Sequence, residues 1–115
     1  MSVHVFRVIV RGRFDGLDDD QRATLLASAG DHDMTSGQLF TIGGTLTYDR
    51  RLDFFSYRVE SRVDTDEPAT AEATALGHAV DVATEDLVRR GLPWHDLRAT
   101  GTDMASMWDR TRRRR

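Results

Sequence analysis

The chain has 115 residues and no cysteine, and all sixteen of its basic residues are arginine. This composition excludes disulfides, thiolate nucleophiles, thiolate-bound zinc or iron–sulfur sites, and any Schiff-base or P-loop lysine. Five arginines fall within Arg110–Arg115, which leaves eleven against nineteen acids in the rest of the chain; so acidic a body repels polyphosphate and argues against nucleic acid as the partner.

The length suits one domain with a single hydrophobic core. No apolar run approaches a membrane span, and the start, Met1 to Val10, lacks a small-residue cleavage site. A cytoplasmic location without a signal peptide is therefore expected, and the absence of cysteine suits a reducing compartment. The expected organisation is one domain over residues 1–109 and an arginine-rich tail over 110–115. Runs of like charge seldom fold, so the tail reads as disordered and solubilising.

The first predicted strand runs from Val3 to Arg13. Phe6, Val8 and Val10 alternate with Arg7, Ile9 and Arg11, the pattern of a half-buried strand. Gly12 and Gly16 bracket a turn. Asp18 and Gln21 make a capping-box pattern for a first helix, with Ala23, Leu26 and Ala29 as its apolar stripe and Gly30 as its end. Asp31–Gly37 reads as loop. A second strand is predicted over Gln38–Tyr48, with Phe40, Ile42, Leu46 and Tyr48 on one face. A short turn at Asp49–Arg51 leads to a third strand, Leu52–Arg62, so strands two and three form a hairpin. Phe55, Tyr57 and Val59 share one of its faces, and Phe54, Ser56, Arg58 and Glu60 the other. A long second helix is predicted over Glu67–Arg90, capped by Asp66, with Pro68 in its first turn. Ala69, Ala73, Leu76, Val80, Ala83 and Leu87 recur at helical spacing, and Gly91 stops it. The fourth strand begins near Trp94, with Leu97 and Ala99 facing in and Asp96, Arg98 and Thr100 facing out.

Strand, helix, strand, strand, helix, strand is the order of an α+β, ferredoxin-like β-α-β-β-α-β sandwich. Four antiparallel strands in the order 4-1-3-2 carry two helices on one face. Phe6, Val8, Phe40, Leu46, Phe55, Val59, Leu76, Val80 and Leu97 are expected to be buried. The other sheet face stays open, and it is the first candidate surface. Arg7 and Arg11 on strand one then lie beside Arg98 on strand four and Arg58 on strand three. Such a set of guanidiniums can hold a carboxylate or phosphate through bidentate hydrogen bonds. The plainer reading is that Glu60, Asp96 and neighbouring threonines pair with them, leaving a solvated or dimer-buried face.

Val10-Arg11-Gly12-Arg13-Phe14-Asp15-Gly16-Leu17 resembles the acylphosphatase signature at the same place in that fold. The resemblance implies a backbone cradle for a phosphate, with an arginine shortly after the second glycine. Here Asp20 takes the arginine's place inside Asp18-Asp19-Asp20, and the family's strand-two asparagine is absent because the chain has none. The resemblance reads as shared turn geometry without shared catalysis. Asp31-His32-Asp33 is a possible divalent-metal set, but adjacent loop residues rarely converge on one ion, and no metal or other cofactor is expected. His4, His78 and His95 are scattered, with no metal-binding spacing. An RNA-recognition sheet needs exposed aromatics on strands one and three. The alternation sends Phe55 and Tyr57 to the covered face and leaves only Phe54 outside. No nucleophile elbow, dinucleotide fingerprint or EF-hand loop occurs.

Over nearly its full length the chain resembles a family of small actinobacterial proteins with no activity attached. The resemblance is carried by His4-Val5-Phe6-Arg7-Val8, by Val10 to Leu17 running into Gln21-Arg22, by Tyr48-Asp49, Phe54-Phe55, Tyr57-Arg58 and Leu97-Arg98. Two functions are weighed. One is a non-enzymatic binding or interaction module, a homodimer that meets a partner or an anionic small molecule through the arginine-bearing face. The alternative is a cofactor-independent enzyme in which paired sheets form a dimeric α/β barrel and a cavity between sheet and helices runs chemistry on an organic substrate. A third, acylphosphatase-like hydrolysis, lacks its catalytic residues.

Overall fold

The computed structural model describes residues 3–33 and 39–104. The arginine-rich run 110–115 and Gln38 lie outside the described residues. The elements are β1 (Val3–Phe14), α1 (Asp19–Ala27), a short 3-10 turn (Ala29–His32), β2 (Thr45–Tyr48), β3 (Phe54–Asp64), α2 (Pro68–Arg90) and β4 (Trp94–Asp103). The four strands form one antiparallel sheet in the order β2-β3-β1-β4. This is the predicted α+β architecture, and it fits the ferredoxin-like arrangement. Among the described residues, no helix is long and apolar enough to cross a membrane.

The two-residue alternation of β1 decides which face is covered. Phe6, Val8, Val10 and Phe14 are buried, whereas Arg7, Arg11 and Arg13 are exposed. On β3, Phe55, Tyr57, Val59 and Ser61 are buried in the same way. α2 lies across β3, β1 and β4. α1 reaches the same core through Leu25, whose carbonyl accepts from the Tyr48 hydroxyl at 2.6 Å. Asp18 caps α1 with the predicted box: its carboxylate accepts from the Gln21 N–H at 2.7 Å and its own N–H donates to Gln21 Oε1 at 2.8 Å. Gln21 Nε2 also donates to the Gly91 carbonyl at 2.8 Å, which ties α1 to the end of α2.

Helix register differs from the sequence reading. α2 buries Ala71, Ala75, Ala79, Ala83 and Leu87, while Ala69 and Ala73 are exposed. Four alanines in a row let the helix settle close to a sheet already filled by Phe55, Tyr57 and Val59. Leu76 and Val80 flank that row and pack partly buried against the core, as does Leu97. The N-cap is Glu67, without a side-chain cap bond, in place of Asp66; Pro68 is the first helical residue and Gly91 the left-handed C-cap, at φ 71°. In α1 the buried residue is Leu25, followed by Ala29 in the 3-10 turn; Ala23 and Leu26 are exposed.

The larger correction concerns strand two. Regular pairing with β3 covers only Thr45–Tyr48. Gly43 and Gly44 break the extended run, with Gly44 at φ 82°, a backbone that L side chains rarely adopt. Upstream, Thr41 makes an isolated parallel bridge to Val59, and its carbonyl accepts from the Glu60 N–H at 2.8 Å. Phe40 therefore leaves the predicted core. It is half-buried, and the Arg7 guanidinium lies 5.5 Å from its ring centroid. Ile42 is exposed. Phe6, Val8, Leu46, Phe55 and Val59 are buried as predicted.

Candidate functional site

The open face is built from the outward positions of β1 and its two neighbours. Strand register sets these positions in rows across the sheet. Arg7 lies opposite Glu60 on β3 and Thr102 on β4. The next row is Arg58, Ile9 and Thr100, and the next Ser56, Arg11 and Arg98. The last is Phe54, Arg13 and His95. Successive rows are about 7 Å apart, two residues of strand.

Arg11 and Arg98 are thus direct cross-strand neighbours, and both are exposed. Like charges directly opposed on a sheet are destabilising unless something neutralises them. Among the described residues, no hydrogen bond or ion pair engages either guanidinium. Glu60 pairs with Arg62 at 3.3 Å, and the Asp96 carboxylate lies 3.6 Å from His95 Nε2. The expected neutralisation of Arg11 and Arg98 by those two acids is not what the structure contains.

A bulge shapes the ground beside this pair. Between the Arg11–Arg98 and Arg13–His95 pairs, β4 advances by three residues while β1 advances by two. The extra residue falls at Asp96–Leu97, and Asp96 takes a left-handed φ of 57°. Asp tolerates that conformation better than most residues, and bulges commonly re-aim side chains near sites. The result is an open hollow of about 390 Å³ lined by Arg11, Gly12, Arg13, Phe54, Asp96, Arg98 and Thr100. A second hollow of about 460 Å³ adjoins it through Arg11 and Phe54 and is lined further by Ile9, Thr47, Ser56 and Arg58. Two carboxylates line these hollows: Asp96, whose Oδ2 lies 3.6 Å from His95 Nε2, in the first, and Asp49, whose Oδ1 accepts the Leu52 N–H at 3.1 Å, in the second.

Of the four candidate arginines, the fold brings Arg11, Arg58 and Arg98 around this double hollow. Arg7 lies apart, lining a third hollow with Phe40. Two participants were not singled out from sequence. Arg13 places its guanidinium 4.5 Å from the Phe54 ring centroid, and Ile9 forms the apolar middle of the floor. Both share the parity of Arg7 and Arg11, so their direction was readable; their partners depend on register.

The other candidates do not assemble. His32 Nδ1 donates to the Leu46 carbonyl at 3.0 Å, and its ring stacks on Tyr48 with centroids 5.3 Å apart. Among the described residues, no three metal-ligating side chains cluster. The segment Val10–Leu17 leads into Asp18, whose carboxylate already accepts the Gln21 N–H at the start of α1. Phe55 and Tyr57 are buried, so only Phe54 offers an aromatic on the open face of β3.

Tyr48 and Tyr57, both on the covered face, have raised pKa values. Tyr48 is raised from 10.0, chiefly by burial. Tyr57 is pushed up to about 12, again by burial, against the opposing pull of Arg90. Its hydroxyl donates to Asp86 Oδ2 at 2.6 Å, and that carboxylate also accepts from Arg90 Nε at 2.7 Å and from Arg89. A tyrosine whose pKa is higher in the native state holds its proton longer there. Its contribution to stability is complete below pH 10.0 and is lost as pH rises toward about 12. Denaturation midpoints should fall across that window, and Tyr57→Phe should flatten the fall. An unchanged slope in the variant would place the titration elsewhere.

A family of unknown function (DUF6204) matches residues 1–115. The chain belongs to that family. No curated protein and no solved structure matches it significantly. Membership brings no assigned activity with it, so the chemistry of the DUF6204 open face rests on the geometry above.

Proposed function

We propose that this protein is a non-enzymatic binding module that holds an anionic small molecule on its open sheet face, between Arg11 and Arg98. The observation that carries the reading is the in-register Arg11–Arg98 pair, unneutralised among the described residues and opening onto a hollow. Two opposed guanidiniums present converging forks of donors that match a carboxylate or phosphate. An anion seated there also removes the cross-strand repulsion.

The same arginines bear on assembly. A two-fold contact centred on this face would set Arg11 and Arg98 against their own copies. The homodimer of this proposal therefore forms at the outer edge of β4, a ten-residue strand on the border of the sheet. Unpaired edges are templates for another strand, and pairing there leaves the arginine face free for ligand.

The enzymatic alternative needs an acid–base group of shifted pKa inside a cavity. The cavity of that alternative would lie between sheet and helices, where Tyr48 and Tyr57 are buried in packed core, and the double hollow lies on the other face. That separation favours binding over catalysis.

Thermal melts in added succinate or inorganic phosphate test the proposal. A ligand bound only by the folded state raises the melting temperature by mass action. Both anions should do so, and Arg98→Ala should remove the effect while leaving the ligand-free melt nearly intact, since Arg98 is exposed. Equal shifts in the variant, or no shift in the wild type, would sink the proposal.

A further inference from the structure

We infer that the anion taken by this face is an aromatic carboxylate, with its carboxylate on Arg11 and Arg98 and its ring against Phe54 in the next row. The inference rests on the binding reading above and adds the chemical class of the ligand. Phosphate alone would use the two guanidiniums and leave the rest of the site idle, and the rest is what distinguishes it.

Phe54 is 54% exposed on a strand whose other large side chains at Phe55 and Tyr57 are buried. It faces the hollow that holds the arginine pair, and it lines the adjoining hollow as well. A lone exposed aromatic is ordinary. This one carries a guanidinium, Arg13, 4.5 Å from its ring centroid. The guanidinium sits over one face of the ring, which leaves the ring's other face and edge, and the outer face of the guanidinium, for a planar π system. Ile9, directly opposite Arg58 and one row beyond Arg11, adds apolar lining to the adjoining hollow.

Size points the same way. The two hollows, at about 390 and 460 Å³, each fall within the range of small-molecule sites, roughly 300–1,000 Å³. Such sites are mostly apolar with a few placed polar groups. Here the charged pair and the Ser56 hydroxyl share one row, with Ile9 and Thr100 in the row on one side and Phe54 and Arg13 in the row on the other. An aliphatic anion uses the charged pair alone; an aromatic acid also uses the Phe54 side.

Calorimetric titration with 2-naphthoate and with succinate tests the inference and separates it from the binding reading. Stacking and ring burial should make 2-naphthoate bind about tenfold or more tightly than succinate. In Phe54→Ala the ratio between the two probes should collapse toward one. Arg11→Ala should weaken 2-naphthoate binding by roughly ten- to a hundredfold, which separates the site from unspecific apolar adsorption. Equal affinities in the wild type, both weakened in Arg98→Ala, would overturn the aromatic assignment and leave the binding module standing. Failure of both probes to bind would overturn the two together. Naphthoate binding unchanged in Arg11→Ala would likewise overturn the assignment.

Discussion

Phe55→Ala should lower the stability of the fold by about 3–5 kcal/mol, the usual cost of emptying a buried phenylalanine site. The ring is 2% exposed at the middle of the core. Its centroid lies 5.0 Å from that of Phe14 and 6.0 Å from that of Tyr57. The alanine row of α2 packs in the same core and has no longer side chains to swing into the gap, so the cavity should stay largely open. Domains of this size have roughly 5–15 kcal/mol in hand, so the variant stands close to the unfolding threshold. Urea denaturation gives the figure directly. A loss below about 1 kcal/mol would mean that the ring is not the core residue described here.

Gly12→Ala should be the second large effect, although it adds a single methyl group. A Cβ at Gly12 would lie 2.5 Å from Phe55 Cζ and 2.9 Å from Leu97 Cδ2. Its φ is outside the left-handed region, so backbone freedom is not the reason for glycine. On a strand with open space, the exchange would stabilise by stiffening the chain. Here the two rows beneath β1 must move, and overpacking of this kind costs about 1–3 kcal/mol. The cause is checkable by coupling. In a Phe55→Leu background the clash is relieved, so Gly12→Ala should cost much less there than in the wild type. Equal costs in both backgrounds would place the strain somewhere other than the Phe55 ring.

Architecture was legible because it depends on parity and order alone. The outward set Arg7, Ile9 and Arg11 and the inward set Phe6, Val8 and Val10 follow from alternation, and one buried face fixes the register. Strand two misled because Phe40 and Ile42 keep the apolar alternation of a strand that Gly43 and Gly44 interrupt. Helix α2 misled in rotation. Its leucines and valines outweigh alanine in any apolar count, whereas close packing on a sheet of large side chains prefers the alanine row. The site was half legible. Arg11, Arg58 and Arg98 could be placed on one surface, but Arg7 was drawn in by parity although it lies beyond the hollow. The pairing of Arg13 with Phe54 depends on the register of β1 with β3, strands that are not consecutive in the chain. The bulge at Asp96 carries no glycine to signal it.

In the proposed function, Arg11 and Arg98 act together on one bound anion. A double-mutant cycle on 2-naphthoate affinity, measured by calorimetry for the wild type, Arg11→Ala, Arg98→Ala and the double variant, tests it most directly. Charge-assisted hydrogen bonds contribute about 1.5–3 kcal/mol each, so each single change should weaken binding by roughly ten- to a hundredfold. Because one carboxylate bridges both groups, the double variant should bind little worse than either single one. Two losses that simply multiply, or single variants that bind like the wild type, would contradict a shared site.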